Sequence, residues 1–324
     1  MEDEILLQLE HVCKYFYSNS VVSSKKTCIK AVDDVSLSIK KNQTIGLVGE
    51  SGCGKTTLGR TILNLYPATS GKIIFEGKEI QDLSFNEMRN YRKEMQMIFQ
   101  DPYASLSPRR TILQSLEEPL ELFGIGTKKE RREQAVSLLE EVGIMKEHFE
   151  KFPHELSGGQ RQRIVVARSI ILKPKFIIAD EPVSALDVSV RSQVLNLMKR
   201  LQKSYSLSYL FISHDLSVVR YLCDRVVVMY LGKIVEIADK KDLFETPLHP
   251  YTQALISAIP VPDVDHKVER IILEGDLPSP ANPPSGCVFR TRCKYAKDIC
   301  SECVPELKNL GGTHEVACHF AGEI

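Results

Sequence analysis

Apolar and polar residues alternate near the start of the chain in two runs, Leu6 to Val12 and Ile29 to Ile39, with a Ser-rich, Lys-containing stretch between them. A period of two belongs to half-buried strands, so this region predicts antiparallel strands joined by a surface loop. Thr44 to Val48 is a short apolar strand, Thr56 to Leu65 has helical spacing, SGKIIFEGKEI returns to the β-period over Gly71 to Ile80, and Gln96 to Phe99 gives a further short strand. From Asp101 to Phe152 the texture turns helical, as in ILQSLEEPLELFG and KKERREQAVSLLEEVG, with Pro and Gly breaks. That change predicts a helical subdomain inserted at about 101–165. A helix over about Gln160 to Leu172 precedes a strand at Phe176 to Ala179. A helix over Ser189 to Ser204 and strands at Ser208 to Ile212, Arg225 to Tyr230 and Lys233 to Ala238 follow. Strands alternating with helices predict a mostly parallel α/β core. Beyond about residue 245 the chain becomes Pro-rich, LPSPANPPSG, and ends in a group of cysteines, so the expected division is 1–245 and 246–324.

Composition narrows this picture. At 324 residues the chain can bury a large core, and its 42 basic and 42 acidic residues cancel. The balance argues against a nucleic-acid footprint, and the short group Lys128, Lys129, Arg131 and Arg132 reads as a solvated helix face. No apolar run reaches the roughly 18 to 20 residues that span a bilayer, and MEDEILLQLEHV is acidic rather than signal-like, so a cytosolic chain is expected. Nine cysteines in such a chain do not read as a disulfide framework, and five of them crowd into Cys287 to Cys318. That last stretch is poor in apolar residues, so something other than a core is expected to hold it.

The strongest chemical signal is Gly49 to Thr57, reading Gly49, Glu50, Ser51, Gly52, Cys53, Gly54, Lys55, Thr56, Thr57. It fits G-x-x-x-x-G-K-[ST] between a strand and a helix, the context that makes the pattern specific. Glycines let successive N–H groups turn inward and the following helix start adds positive dipole, so the nest holds phosphates. Lys55 adds a full charge, and Thr56 is placed to put its hydroxyl on a Mg²⁺ bridging those phosphates. Cys53 fills a free position and carries no expected redox role. FIIADE sets Asp180 and Glu181 at the C-terminal end of an apolar strand, where ligands collect in open α/β sheets. Asp180 is expected in the Mg²⁺ shell and Glu181 against the attacking water. His214 ends another apolar strand and is placed to hydrogen-bond a γ-phosphate. Tyr15, Phe16 and Tyr17 could stack on a base or cap the sheet, and residue type alone favours packing.

Leu156 to Gln160, LSGGQ, followed by RQRIVVARSIIL, brings in a resemblance: with the phosphate loop it looks like an ABC-type ATPase. The implied fold is α/β, an ABC-type P-loop ATPase with a mixed core sheet, an antiparallel β subdomain, an inserted helical subdomain and a small Cys-rich C-terminal extension. The resemblance implies that Ser157, Gly158, Gly159 and Gln160 face the nucleotide of an opposite subunit, so ATP is held in a two-subunit sandwich. It makes Gln100 the Q-loop glutamine on Mg²⁺ and the attacking water, Ser184 to Asp187 the D-loop and His214 the switch histidine. Phe16 best matches the adenine-stacking aromatic, with Tyr15 close beside it.

QDPYASLSPR, FPHELSGGQRQRI, DEPVSALDVSV, PLHPYTQALISAIP and EGDLPSPANPPSGCVFRTRC are similar to ATP-binding subunits of oligopeptide and dipeptide importers. The first resembles the F-type subunit, with Ser107 where that family usually has Asn. Such importers imply a second, related ATPase in a heterodimer, two transmembrane permease subunits, an extracytoplasmic solute-binding protein and a place on the cytoplasmic face of the membrane. Nickel and glutathione importers use the same subunit type and remain alternatives. A soluble ABC ATPase acting on nucleic acid fits less well, because Lys55 and Leu156 lie 101 positions apart (156 − 55), with no room for a long coiled-coil insertion, and there is one phosphate loop. A dead-site binding protein fits poorly with Lys55, Asp180, Glu181 and His214 all present. The terminal cysteines can gather round a metal, either tetrahedral Zn²⁺ or an iron–sulfur cluster, or stay free thiols. Only Cys300 and Cys303 have the C-x-x-C spacing common in zinc modules. The resemblance implies a [4Fe–4S] site on Cys287, Cys293, Cys300 and Cys318, with Cys303 spare.

Overall fold

A computed structural model describes residues 4–19, 26–260 and 270–324. Two compact units are formed, one from Met1–Lys40, Thr44–Asp82 and Phe211–Ile324, the other from Lys41–Gln43 and Leu83–Leu210. The fold is mixed α/β, with one antiparallel and one mixed sheet.

In the first unit, strands Ile5–Asn19 and Lys26–Lys40 pair antiparallel, and Ser70–Phe75 and Lys78–Glu79 complete a four-stranded sheet. Both leading strands are 15 residues long, well beyond the alternating runs. Register shifts around Val12 and Lys14 absorb the residues that break the alternation, with His11 and Asp34 in the left-handed region. The loop expected between these strands falls at 20–25, outside the described residues. The expected strand at Gly71 to Ile80 is a hairpin, because Glu76 and Gly77 at φ 48° and 77° make a two-residue turn. The mixed sheet has Thr44–Val48 parallel to Arg225–Tyr230, which pairs antiparallel with Lys233–Asp239. Every residue of Thr44–Val48 is buried, as in a strand covered on both faces.

The C-terminal segment corrects the expectation that it contributes little core. His314–Val316 joins the sheet edge beside Lys233–Asp239, and Lys308–Gly311 pairs with His314–Val316. Tyr230, Tyr251 and Phe289 form an aromatic cluster with ring centroids 4.8 to 5.4 Å apart. Phe289 is 1 % exposed. The fully buried Glu236 carboxylate accepts the N–H groups of Leu248 (2.8 Å) and His249 (3.1 Å) and faces His314 Nε2 at 2.7 Å. A buried carboxylate is tolerated when it is this fully hydrogen-bonded.

In the second unit, Met95–Ile98 runs parallel to Phe176–Asp180. Its helices include Phe85–Glu94, Ile112–Leu122, Lys128–Glu141, Gly158–Ile170 and Val188–Tyr205. Four of them start with the same device, a Ser or Thr and a Glu or Gln three positions on that cap each other's backbone: Ser84/Glu87, Thr111/Gln114, Thr127/Glu130 and Ser157/Gln160. Phe85–Glu94 escapes a periodicity reading because Met88 is its one buried residue. Ser208–Ser213 begins in this unit and ends in the first.

Phe289→Ala is expected to lower the stability of the folded chain by about 3–5 kcal/mol, as for a fully buried aromatic, read from urea unfolding. A loss below about 1 kcal/mol would show that the aromatic cluster is not part of the core.

Candidate functional site

Each unit carries its own share of the candidate residues. In the first, residues 49–54 curl between the strand Thr44–Val48 and the helix Lys55–Ile62. Gly49 and Gly54 have φ of 150° and 107°, and a β-carbon on either would stand 2.1 Å from the Met229 carbonyl oxygen or 2.0 Å from that of Ala31. Only glycine fits at these two corners. Lys55 is 5 % exposed and its Nζ donates to the carbonyls of Gly49 and Glu50, each at 2.8 Å. The ammonium is folded onto its own loop. Ser51 and Gly52 form the exposed crest of the loop, and Thr56 and Thr57 are half-buried in the first turn of the helix. Cys53 is buried and burial pushes its thiol up, against thiolate chemistry.

Glu50 is bound at both polar ends. Its N–H donates to the Tyr251 hydroxyl at 2.8 Å, and its carboxylate accepts Arg292 Nη1 at 2.7 Å and Nη2 at 3.2 Å. Neither partner is signalled by a local pattern, since they lie 201 and 242 positions away. The Tyr15 hydroxyl donates to Asp33, while Phe16 is half-buried and packs edge-on to Tyr66 at 5.5 Å. The Tyr15 hydroxyl is thus committed to a polar partner, and Lys30 Nζ lies 5.4 Å from its ring as Lys14 Nζ lies 5.0 Å from that of Phe16. His214 is exposed, immediately after Ser208–Ser213.

In the second unit, Asp180 closes the strand Phe176–Asp180 at 2 % exposure. Glu181 turns out of it at φ 47°, a conformation costly for a residue with a side chain and common at functional sites. Its carbonyl accepts the N–H (3.3 Å) and hydroxyl (3.1 Å) of Ser184, and Gln100 Nε2 donates to its carboxylate at 3.0 Å. Gln100 and Glu181 are therefore brought together. Ser157 caps the helix Gly158–Ile170: its N–H donates to Gln160 Oε1 (2.9 Å) and its Oγ accepts the Gln160 N–H (3.3 Å). The amides of Gly158 and Gly159 lie in the first turn, where helix N–H groups have no partner within the helix and attract anions. Gly159 also packs against a neighbour, for an added β-carbon would lie 2.3 Å from Val190 Cγ1. Asp187 caps the helix Val188–Tyr205, and the Val190 N–H, then the Ser189 hydroxyl, hold its carboxyl below the usual range.

Cys287, Cys293, Cys300 and Cys318 line one small cavity together with His249 and Phe289, and no Asp or Glu side chain lines it. Burial, and then neighbouring thiols, push Cys287 up to about 11. Burial also raises Cys293 and Cys318, while Cys303 is exposed and outside the cavity. All nine cysteines are free. Four thiols with no Asp or Glu side chain suit a soft metal. Among the described residues, however, no group of three or more His, Cys, Asp or Glu is placed to hold a metal ion, and the iron–sulfur expectation lacks support to that extent.

The description of the ABC transporter family matches residues 32–184, and that of the oligopeptide/dipeptide transporter C-terminal region matches residues 235–300. The chain is 54 % identical over 321 residues to the oligopeptide transport ATP-binding protein AppF of Bacillus subtilis, spanning 98 % of both chains. This chain belongs to the ABC transporter ATPase family. The ABC ATPase is also 53 % identical to a putative peptide import ATP-binding protein of Brucella ovis, again across 98 % of both. A dimeric ATP-binding cassette solved in a post-hydrolysis state with ADP and Pi superposes with a TM-score of 0.65 at 27 % identity, over 72 % of this ABC ATPase and 99 % of that chain. CbiO1 of Clostridium perfringens, part of the CbiONQ transporter complex, gives 0.64 at 26 % identity, over 75 % and 92 %. No helix among the described residues of the ABC ATPase is long and apolar enough to cross a membrane.

Gly159→Ala is expected to cost about 1–3 kcal/mol of stability through overpacking, and Val190→Ala in the same chain to restore most of it. Urea unfolding of the parent and both variants checks this. Equal stability of Gly159→Ala and the parent would show that the two helices do not press together there.

Proposed function

We propose that this ABC ATPase energises the import of di- or oligopeptides, binding and hydrolysing ATP on the cytoplasmic face of the membrane. The observation that carries the reading is the joining, in one chain, of the Gly49–Thr56 phosphate nest to a C-terminal region matching the oligopeptide/dipeptide transporter description. Names of relatives along the whole length point the same way. The proposed domain division is 1–245 for the nucleotide-binding part, with the helical insertion at about 101–165, and 246–324 for the extension.

In this reading the loop amides and Lys55 take the β- and γ-phosphates, Thr56, Gln100 and Asp180 hold Mg²⁺, and Phe16 stacks on adenine. Glu181 polarises the attacking water and His214 bonds the γ-phosphate. The Gln100–Glu181 hydrogen bond supports the two acting together on that water. Ser157, Gly158, Gly159 and Gln160 serve the nucleotide of a second, related ATPase, which completes each site. Two permease subunits and an extracytoplasmic solute-binding protein make up the rest of the transporter. Affinity isolation of the native protein is expected to bring down a related ATPase and two integral membrane proteins. Recovery with a nucleic-acid-bound assembly and no membrane protein would overturn the importer reading.

Glu181→Gln is expected to keep ATP binding and to lower turnover about 100-fold or more, because the amide keeps shape and loses the base. Lys55→Ala is expected to weaken binding instead. Wild-type hydrolysis by Glu181→Gln in the assembled transporter would remove the role given to Glu181.

Cys287, Cys293, Cys300 and Cys318 are the proposed ligands of a [4Fe–4S] cluster with a folding or sensing role, supported by the cavity they share, which no Asp or Glu lines. Anaerobically purified protein is then brown with iron and acid-labile sulfide, lost in Cys318→Ser and kept in Cys303→Ser. Stoichiometric zinc in a colourless preparation decides for Zn²⁺, and a metal-free folded protein for plain thiols.

A further inference from the structure

Glu50 is an unexpected residue in a loop that gathers anions. It follows Gly49 directly, and an ionised carboxylate there opposes the charge of any phosphate the loop takes up. The fork of Arg292 meets it with two hydrogen bonds, Nη1 to Oε2 at 2.7 Å and Nη2 to Oε1 at 3.2 Å. Planar two-pronged pairing of this kind is available to arginine and not to lysine. The Arg292 side chain is 8 % exposed and that of Glu50 28 %, so the pair is sheltered from the screening that empties most surface ion pairs of value.

The guanidinium is delivered by a packed element. Arg292 ends the turn Arg290–Arg292, its N–H donates to the Phe289 carbonyl at 3.0 Å, and Phe289 sits in the aromatic cluster with Tyr230 and Tyr251. Tyr251 in turn accepts the Glu50 N–H. On the loop side, the Glu50 carbonyl accepts Lys55 Nζ at 2.8 Å and the Cys53 N–H at 3.3 Å. A displacement of Glu50 therefore disturbs the lysine and the backbone of the nest together.

We propose that Arg292 is a positioning residue for ATP binding: by neutralising and pinning Glu50 it keeps the phosphate loop positive and its backbone set for the phosphates. This rests on the reading of Gly49–Thr56 as the ATP site. The C-terminal segment thereby becomes part of the nucleotide site through a residue that acts on another residue.

The test is titration of the full-length chain with a fluorescent, non-hydrolysable ATP analogue and Mg²⁺, with thermal midpoints of the nucleotide-free variants alongside. Arg292→Met, which removes the charge and keeps the length, is expected to bind about tenfold more weakly, the scale of one lost charge-assisted pair. Adding Glu50→Gln to it is expected to bring affinity back to within about threefold of the parent, because no carboxylate is left to oppose the phosphates. Arg292→Lys is expected to fall between, since it keeps the charge and loses the fork. A parent chain that does not bind the analogue would overturn the reading of the loop itself. A parent that binds, with Arg292→Met unchanged, would overturn the role of Arg292. Equal weakness of Arg292→Met and the double variant would also overturn it, because the loss would then be structural. Should Arg292→Met fail to fold, recovery of Arg292→Lys by Glu50→Gln decides by the same criterion.

Discussion

Two backbone oxygens set the shape of the phosphate loop. The carbonyls of Met229 and Ala31 occupy the space that β-carbons at positions 49 and 54 would need, so the loop can lie this close to the strands beneath it only as glycine. Those oxygens are fixed in their turn: Met229 lies in Arg225–Tyr230, paired parallel with the strand that leads into the loop, and Ala31 lies in the long strand Lys26–Lys40. Gly232 N–H adds a hydrogen bond to the Cys53 carbonyl at 2.9 Å. Sheet, loop and lysine are tied together by these hydrogen bonds and close contacts, and a nest of dipoles held in place acts on a ligand without reorganising.

The C-terminal segment belongs to that assembly. Its strand His314–Val316 extends the sheet, its Phe289 packs against both Tyr230 and Tyr251, and its Arg292 reaches Glu50. In the other unit a different logic holds. Gln100 and Glu181 meet across 81 positions, and Ser157 and Asp187 each cap a helix start by accepting a first-turn N–H. The proposal of a second ATPase as partner draws on two features of this unit, the capped start of Gly158–Ile170 and the Gln100–Glu181 hydrogen bond.

Much of this was legible in the sequence where the pattern is local. Gly49 to Thr56 is a contiguous motif between a strand and a helix, and the strands Thr44–Val48 and Arg225–Tyr230 occur where the apolar runs place them. The helix after the signature was legible from its apolar period, expected from about Gln160 and observed from Gly158, while its cap by Ser157 is seen only in the structure. What escaped is long-range or irregular. The bulges that extend Ile5–Asn19 leave no alternation to follow, and Phe85–Glu94 buries too little to show a period. Arg292 and Tyr251 could not be assigned to Glu50 from spacing, since only the folded sheet brings them to it. The cysteines show the opposite case: their crowding was plain, yet spacing alone says nothing of whether the sulfurs of Cys287, Cys293, Cys300 and Cys318 meet on one ion, and among the described residues no such group is placed to do so.

Hydrolysis by this chain coupled to peptide movement is the central claim, and proteoliposomes holding the isolated transporter test it most directly. The rate of ATP hydrolysis and the accumulation of a labelled peptide are measured together, with and without the peptide-loaded binding protein. Hydrolysis that rises on adding the loaded binding protein, and accumulation that requires ATP, are the expected results. Hydrolysis indifferent to peptide, with no ATP-dependent accumulation of any di- or oligopeptide tried, would contradict it.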